Sequence, residues 1–179
     1  TLAEADDLVE TIDETGVPCM IGHVLRFFPA YATAKERIDV GELGDLGTMR
    51  AERLSAPPKY GVDDWFGDPE QSGGVVLDMG IHELDYLRWV VGEVDRGFAR
   101  SAVWESEGHR YEHAGVDLRF EDGTAGYVEA SWGYPDEMDF TTGFEFAGSD
   151  GSLEYDTRDE RPVDFTGDTD GEMDPAAGA

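Results

Sequence analysis

The hydrophobic period of this chain changes at Gly92, and that change limits the folds open to it. Before Gly92, apolar residues recur at helical spacing in the segments 2–15, 30–40 and 75–91. After Gly92 the period becomes two, which predicts strands, and the turn sequences EDGT and GSDG join some of them as hairpins. This order predicts an α+β fold with a mostly antiparallel open sheet and helices packed on one face.

The predicted strands after Gly92 are 97–106, 112–121, 124–133, 141–148 and 151–157. Before Gly92, the apolar run at 17–24 and the segment 48–56 also favour strands. Residues 57–73 are rich in Pro, Gly and Asp and predict a long loop, and a loop of that length in a compact domain is more often functional than idle. Residues 157–179 are acidic and glycine-rich without periodicity, so we predict a disordered tail there.

The charge balance argues against two classes of partner. The chain has 41 Asp and Glu against 13 Lys and Arg, a net charge of −28. Such a surface repels nucleic acid phosphates and anionic membranes, so neither is predicted as a partner. The acids are spread along the whole chain and arginine largely replaces lysine, a pattern typical of a protein from a halophile, whose salt screens the repulsion. Cys19 is the single cysteine and no signal peptide is recognisable, so a cytoplasmic location is predicted.

Asp78 and His82 form the sharpest chemical signal in the sequence. They lie four residues apart at the start of the predicted helix 75–91, and that spacing puts both side chains on one helical face. A carboxylate beside an imidazole orients the ring and raises its affinity for a proton, as a general base requires. The glycines in 72–74 let a ligand approach the backbone closely. A solvated surface pair and two ligands of an incomplete metal site remain open alternatives.

Other candidate residues carry weaker signals. Arg26 follows an apolar run and fits either a ligand contact or a surface ion pair. His23 fits a satisfied core or edge histidine, and His109 and His113 fall in a strand or loop region where a structural role is expected. The glycines in 41–47 lack the G-x-G-x-x-G spacing of a dinucleotide-binding loop and indicate plain turns.

Three stretches together resemble the glucose–fructose oxidoreductase/inositol dehydrogenase (Gfo/Idh/MocA) family. They are IGHVLRFFPAY at 21–31, GELGDLGTMRAE at 41–52 and SGGVVLDMGIHELDYLRW at 72–89. FEFAGSDGSLEY at 144–155 resembles a later part of the same domain. The resemblance implies that 1–22 is the last helix and strand of a Rossmann domain. It also implies that 23–156 is a substrate and oligomerisation domain.

The resemblance implies part of an NAD(P)-dependent oxidoreductase that acts on a sugar, polyol or related secondary alcohol. NAD or NADP would be bound mainly by an N-terminal domain, because the family's dinucleotide fingerprint and its Glu-Lys-Pro lysine are absent from this chain. The chain alone is therefore expected to be inactive. The implied partners are a small sugar or polyol substrate and further copies of the chain, assembled as a homo-oligomer through the sheet face.

The resemblance also implies roles for individual residues. His82 would take the proton from the reacting hydroxyl, while Asp78 would help to hold the substrate and tune that base. Arg26 corresponds to a position near the mouth of the active site and is expected to bind substrate. Trp65 falls near an aromatic–basic pair that touches the dinucleotide in some relatives, and Phe66 stands here in place of the basic partner.

Three other functions stay open at this stage. The first is a non-catalytic assembly or ligand-binding module of the same fold, although such a module would be expected to lose the Asp78 and His82 pair. The second is a family member that uses NAD(H) transiently for hydrolysis or elimination of a sugar derivative. The third is a metal hydrolase.

Asp85 also fits the family motif, and we expect it to brace the helix.

Overall fold

One sheet of seven strands frames the protein. The computed structural model describes residues 1–59, 62–106, 108–159 and 163–167. The strands are β1 Leu46–Leu54, β2 Val94–Ser106, β3 His109–Phe120, β4 Ala125–Ser131, β5 Thr141–Gly148, β6 Gly151–Asp156 and β7 Val163–Gly167. Their order in the sheet is β2-β3-β4-β1-β5-β6-β7. All described pairs are antiparallel except β1 with β4, which are parallel.

The helices precede the strand meander, except that β1 lies between the second and the third. They are α1 Leu2–Thr15, α2 Pro29–Asp39, α3 Pro69–Ser72 and α4 Ile81–Val91. Short 3₁₀ turns form at Val24–Phe27 and Val62–Gly67, and a π turn at Val76–Gly80 leads directly into α4. No helix among these described segments is long and apolar enough to cross a membrane. The predicted α+β fold is confirmed.

The core lies between the sheet and the helices α2 and α4. Every second side chain of a strand faces the helices and is buried there. Met49 and Ala51 of β1 illustrate this alternation. Other core members are Ala34, Leu87, Val90, Leu118, Phe120, Val128, Phe146 and Leu153. The prediction that helices pack on one face of the sheet therefore holds.

An aromatic cluster around Tyr31 locks α2 and α4 onto the sheet. The Tyr31 ring meets those of Tyr86, Phe144 and Tyr155 edge-on, with centroids 4.7, 4.9 and 5.6 Å away. Its hydroxyl lies 2.5 Å from that of Thr142, and the Tyr86 hydroxyl donates to the Tyr31 carbonyl. The cluster therefore fixes where α4 begins, and with it the residues at the start of that helix.

Helix α1 forms as predicted and presents its apolar face to solvent. Thr1 caps it in a capping box with Glu4, and Gly16 ends it in the left-handed conformation. No residue of α1 is buried, and Leu2 is 86% exposed. The assignment of 1–22 and 23–156 to two domains stays a prediction.

The predicted strand at 17–24 is wrong. Residues 17–23 belong to no helix or strand, Met20 and Ile21 are exposed, and the 3₁₀ turn Val24–Phe27 follows. A strand exists only through a ladder of hydrogen bonds to a neighbour, and no described strand runs beside this segment. An apolar run therefore was not sufficient evidence for a strand.

The predicted disorder beyond residue 156 does not hold for Val163–Gly167. This segment forms β7 and pairs antiparallel with β6. The outer edge of β6 offers unpaired backbone groups, and pairing with β7 satisfies them whatever the side chains are. Residues 160–162 and 168–179 of the predicted tail lie outside the described residues.

The acidic surface predicts salt-dependent stability. Raising KCl from 0.1 to 1 M shortens the Debye length from about 10 to about 3 Å, which weakens repulsion among the acids. We expect the melting temperature of the full-length protein to rise by about 5 °C or more. Calorimetric scans at the two salt concentrations measure this, and an unchanged or lower melting temperature would contradict it.

Candidate functional site

A cavity of about 600 Å³ opens where the parallel strands β1 and β4 end. The last residues of these strands, Leu54 and Ser131, are register partners. Its polar lining comprises Arg53, Ser55, Lys59, Asp78, His82 and Asp136, and its apolar lining includes Phe66, Met79, Trp132, Met138 and Phe140. A few polar groups among aromatic walls, in a volume of this size, are typical of a site for a small molecule.

The π turn Val76–Gly80 carries Asp78 to the cavity, and the first turn of α4 carries His82. A π turn holds one more residue than an α turn and is frequent at functional sites. Gly80 lies tightly against β4, because an added Cβ there would come within 3.3 Å of the Ala130 side chain. The turn thus brings both predicted residues to one cavity, but it alters the α-helical spacing between them.

The predicted pairing of Asp78 with His82 is not made through a hydrogen bond among the described residues. No described hydrogen bond joins them, and the buried Nδ1 of His82 has no hydrogen-bond partner in the described part of the chain. Burial lowers the pKa of His82, and the nearby positive charge of Arg53 lowers it further. The role of Asp78 in tuning the base stays a prediction. The lowered pKa favours the neutral imidazole at pH 7, the form that accepts a proton.

Arg53 is the site residue that sequence reasoning missed. It is 8% exposed, and its Nε donates to both carboxylate oxygens of the fully buried Glu83, at 2.8 and 2.9 Å. Burial raises the pKa of Glu83, and the Arg53 guanidinium opposes that rise. A sequence signal existed, because 49, 51 and 53 alternate along β1 and a charged residue at the third buried position is unusual.

Asp78 is a half-buried carboxylate close to Arg53. Burial raises its pKa, and the charge of Arg53 opposes the rise. No described hydrogen bond satisfies the carboxylate, so its negative charge is held at a cost in the folded protein. Such a group is available to accept a hydrogen bond from a bound hydroxyl.

Lys59 and Phe66 complete two sides of the cavity. Lys59 forms an ion pair with Asp136. The Phe66 ring meets Trp132 edge-on at 6.4 Å, and Trp65 stacks on Phe66 at 3.9 Å. Trp65 is half-buried and is not part of the cavity lining. Its role in binding the cofactor stays a prediction.

Arg26 belongs to a different network. Its guanidinium donates to both carboxylate oxygens of Asp85, at 2.8 and 2.6 Å, and lies 5.7 Å from the ring centroid of Trp89. The Nε2 of His23 lies 3.7 Å from the same carboxylate. Asp85 thus ties the turn Val24–Phe27 to α4. Arg26 does not line the cavity, and its predicted role as a substrate ligand stays a prediction.

The other histidines lie elsewhere on the sheet. His109 and His113 are half-buried on β3 and do not line the cavity. Among the described residues, no group of three or more His, Cys, Asp or Glu side chains is placed to hold a metal ion.

The chain belongs to the GFO/IDH/MocA family. Residues 31–154 match the model of the GFO/IDH/MocA C-terminal domain. That match begins within α2, contains the cavity residues and ends within β6, so the family assignment covers the site itself.

Individual relatives agree with this assignment. The scyllo-inositol 2-dehydrogenase (NAD(+)) of Bacillus subtilis is 33% identical over 162 residues, covering 86% of this chain and 44% of the relative. The 2,7-anhydro-N-acetylneuraminate hydratase of Escherichia coli is 33% identical over 88 residues, covering 49% and 23%. The chain spans about half the length of the first curated relatives it matches.

A solved structure shares the fold over nearly the whole chain. The WlbA dehydrogenase of Bordetella pertussis, in complex with NADH and UDP-GlcNAcA, superposes with a TM-score of 0.79 at 20% identity. The match covers 98% of this chain and 53% of that one.

Replacing Asp78 by Asn is expected to stabilise the protein. Burial raises the pKa of Asp78, so ionising this carboxyl costs more in the folded state than in the unfolded state. The substitution removes that cost, which the parent protein bears at any pH where Asp78 is ionised. We expect a gain of about 0.5–1 kcal/mol at pH 7, which shrinks as the pH falls and the carboxyl of the parent protein becomes protonated.

The control for this measurement is Asp6→Asn, because Asp6 is exposed on α1 and its loss reports only the change in net charge. Urea titrations of the parent and both variants give the free energies of unfolding. A gain no larger for Asp78→Asn than for Asp6→Asn would contradict the prediction.

Proposed function

We propose that this chain is the substrate-binding and oligomerisation part of an NAD(P)-dependent oxidoreductase acting on a secondary alcohol of a sugar or polyol. The observation that carries the proposal is the placement of His82 and Asp78 in one cavity, with the buried Nδ1 of His82 lacking a partner in the described part of the chain. Membership of the GFO/IDH/MocA family and the similarity to an inositol dehydrogenase support the reaction class.

Each group of cavity residues has a separate role in the proposed alcohol oxidation. His82 accepts the proton of the reacting hydroxyl as its carbon is oxidised, and Asp78 accepts a hydrogen bond from the substrate. The rings of Phe66, Trp132 and Phe140 cover the apolar faces of a sugar ring and exclude water. When bound, NAD or NADP supplies the hydride acceptor.

The cofactor would be bound mainly by residues outside this chain. The sequence has no G-x-G-x-x-G loop to cradle a pyrophosphate, so we propose that the chain alone is inactive. Trp65 is the residue of this chain that we propose touches the dinucleotide. Phe66 stands in place of the basic partner found in some relatives, so NAD and NADP are both kept as candidate cofactors.

We also propose that copies of the chain associate through the sheet. The outer strand β2 is exposed along most of its length, with Phe98 58% and Trp104 42% exposed. Trp104 stacks on Tyr111 of β3, so the aromatic surface continues onto the next strand. Large exposed aromatic side chains on an edge strand support an interface there.

A second candidate is a reaction that uses NAD(H) without net consumption, as in hydration or elimination of a sugar derivative. The similarity to the Escherichia coli hydratase over 88 residues favours it. Product analysis separates the two functions, because only the dehydrogenase accumulates NADH in proportion to its product.

The test uses the full-length protein with NAD⁺ and NADP⁺ against a panel of polyols and sugars that includes scyllo-inositol and D-xylose. We expect NAD(P)H formation, and we expect His82→Gln to lower kcat/KM by about 10²–10⁴-fold because it removes the base. Its matched control is His113→Gln, outside the cavity. Full activity of His82→Gln would overturn the base assignment, and turnover without net NAD(P)H would favour the second candidate.

The pH profile tests the same residue independently. Burial and Arg53 lower the pKa of His82, and the base works only when it is unprotonated. We therefore expect kcat/KM to be level around pH 7–8 and to fall only below about pH 6.5. An acid limb centred above pH 7, or one unchanged in His82→Gln, would contradict the assignment.

A further inference from the structure

Two unpartnered buried nitrogen atoms belong to residues that line the cavity. They are Nδ1 of His82 and Nη2 of Arg53, and the third such atom among the described residues is Nε of Arg110, outside the cavity lining. The proposed proton transfer uses His82 but gives Arg53 no task. A buried donor without a partner lowers stability, and Arg53 lines the cavity, so a ligand bound in the cavity is the candidate partner for Nη2.

The Arg53 guanidinium is held rigidly. Its Nε donates to both carboxylate oxygens of Glu83, and its Cζ lies 5.3 Å from the ring centroid of Phe140, another lining residue. Arg53 and His82 both line the cavity, and the charge of Arg53 lowers the pKa of His82, so the guanidinium lies near the base. Nη2 is therefore a fixed donor next to the reacting position.

The charges around the cavity favour a neutral acceptor. Glu83 balances the charge of Arg53, and Asp136 balances that of Lys59. Asp78 adds a further carboxylate without a described cation bonded to it. An anionic ligand would meet net negative charge, whereas a hydroxyl oxygen accepts from Nη2 without that penalty.

We propose that Nη2 of Arg53 donates a hydrogen bond to the hydroxyl oxygen on the substrate carbon next to the reacting one, and that Glu83 positions it. Arg53 thereby selects substrates with two neighbouring hydroxyls. The inference rests on the proposed function, since the reacting hydroxyl is the one whose proton His82 accepts.

The experiment measures dissociation constants of three probes by calorimetry or NMR titration, in the full-length protein saturated with NADH. Each carbinol of scyllo-inositol has two hydroxylated neighbours, trans-1,2-cyclohexanediol has one such neighbour per carbinol, and cyclohexanol has none. We expect Arg53→Lys to weaken binding of the first two by about 10–100-fold and of cyclohexanol by less than about twofold.

Glu83→Gln keeps an acceptor for Nε but loosens the guanidinium, so we expect the same pattern with a smaller loss. When this variant oxidises scyllo-inositol, we expect its KM to increase and its kcat to stay within about threefold of the parent value. If circular dichroism shows that Arg53→Lys does not fold, the parent protein is compared with Glu83→Gln only. Arg110→Lys is the matched control, because Arg110 is a half-buried arginine outside the cavity whose buried Nε has no partner among the described residues.

Equal weakening of all three probes, or no weakening, would overturn the assignment of Arg53. If the parent protein binds the diols but oxidises none of the panel, the proposed function fails while the probe pattern still decides the role of Arg53. If the parent protein binds no diol, both proposals fail.

Discussion

The ion pair between Arg53 and Glu83 links the central strand β1 to the first turn of α4, and the site depends on that link. Glu83 is fully buried and Arg53 nearly so, and the cost of removing both charges from water is offset by two short hydrogen bonds. Removing one partner of such a pair costs about 3–5 kcal/mol, because the other charge is left buried alone. The pair therefore constrains where α4 begins relative to the strand ends that form the cavity floor.

The same charge sets the chemistry of its neighbours. It lowers the pKa of His82 and holds down that of Asp78, while burial favours the neutral form of both. Burial and the charge of Arg53 together favour a neutral His82 at pH 7. Asp78 remains available in the same cavity as a hydrogen-bond acceptor, and no described hydrogen bond joins the two residues. The function of Asp78 in the π turn and of His82 in the first turn of α4 thus depends on Arg53, which lies 25 and 29 positions earlier in the chain.

Most of the fold could be predicted because burial on one face imposes a period on the sequence. That period located α1, and alternation located the strands from β2 to β6. The failures have physical causes. Residues 17–24 are apolar but have no described partner strand, and Val163–Gly167 became a strand because β6 offered a free edge. Pairing partners cannot be inferred from the composition of one segment.

The site could be predicted only in part. Spacing singled out Asp78 and His82, and both reach the cavity, but the π turn between Val76 and Gly80 changed how they relate. Sequence patterns do not reveal such a turn, since it requires only one extra residue per turn. Arg53 was missed because its role depends on a hydrogen-bonded contact with Glu83, which lies 30 residues later in the sequence.

The most direct test is a crystal structure of the full-length protein with NADH and scyllo-inositol bound. The account predicts one inositol oxygen within about 3.2 Å of an imidazole nitrogen of His82 and the neighbouring oxygen within the same distance of Nη2 of Arg53. An inositol bound outside this cavity, or one in the cavity with Arg53 Nη2 contacting no hydroxyl, would contradict it.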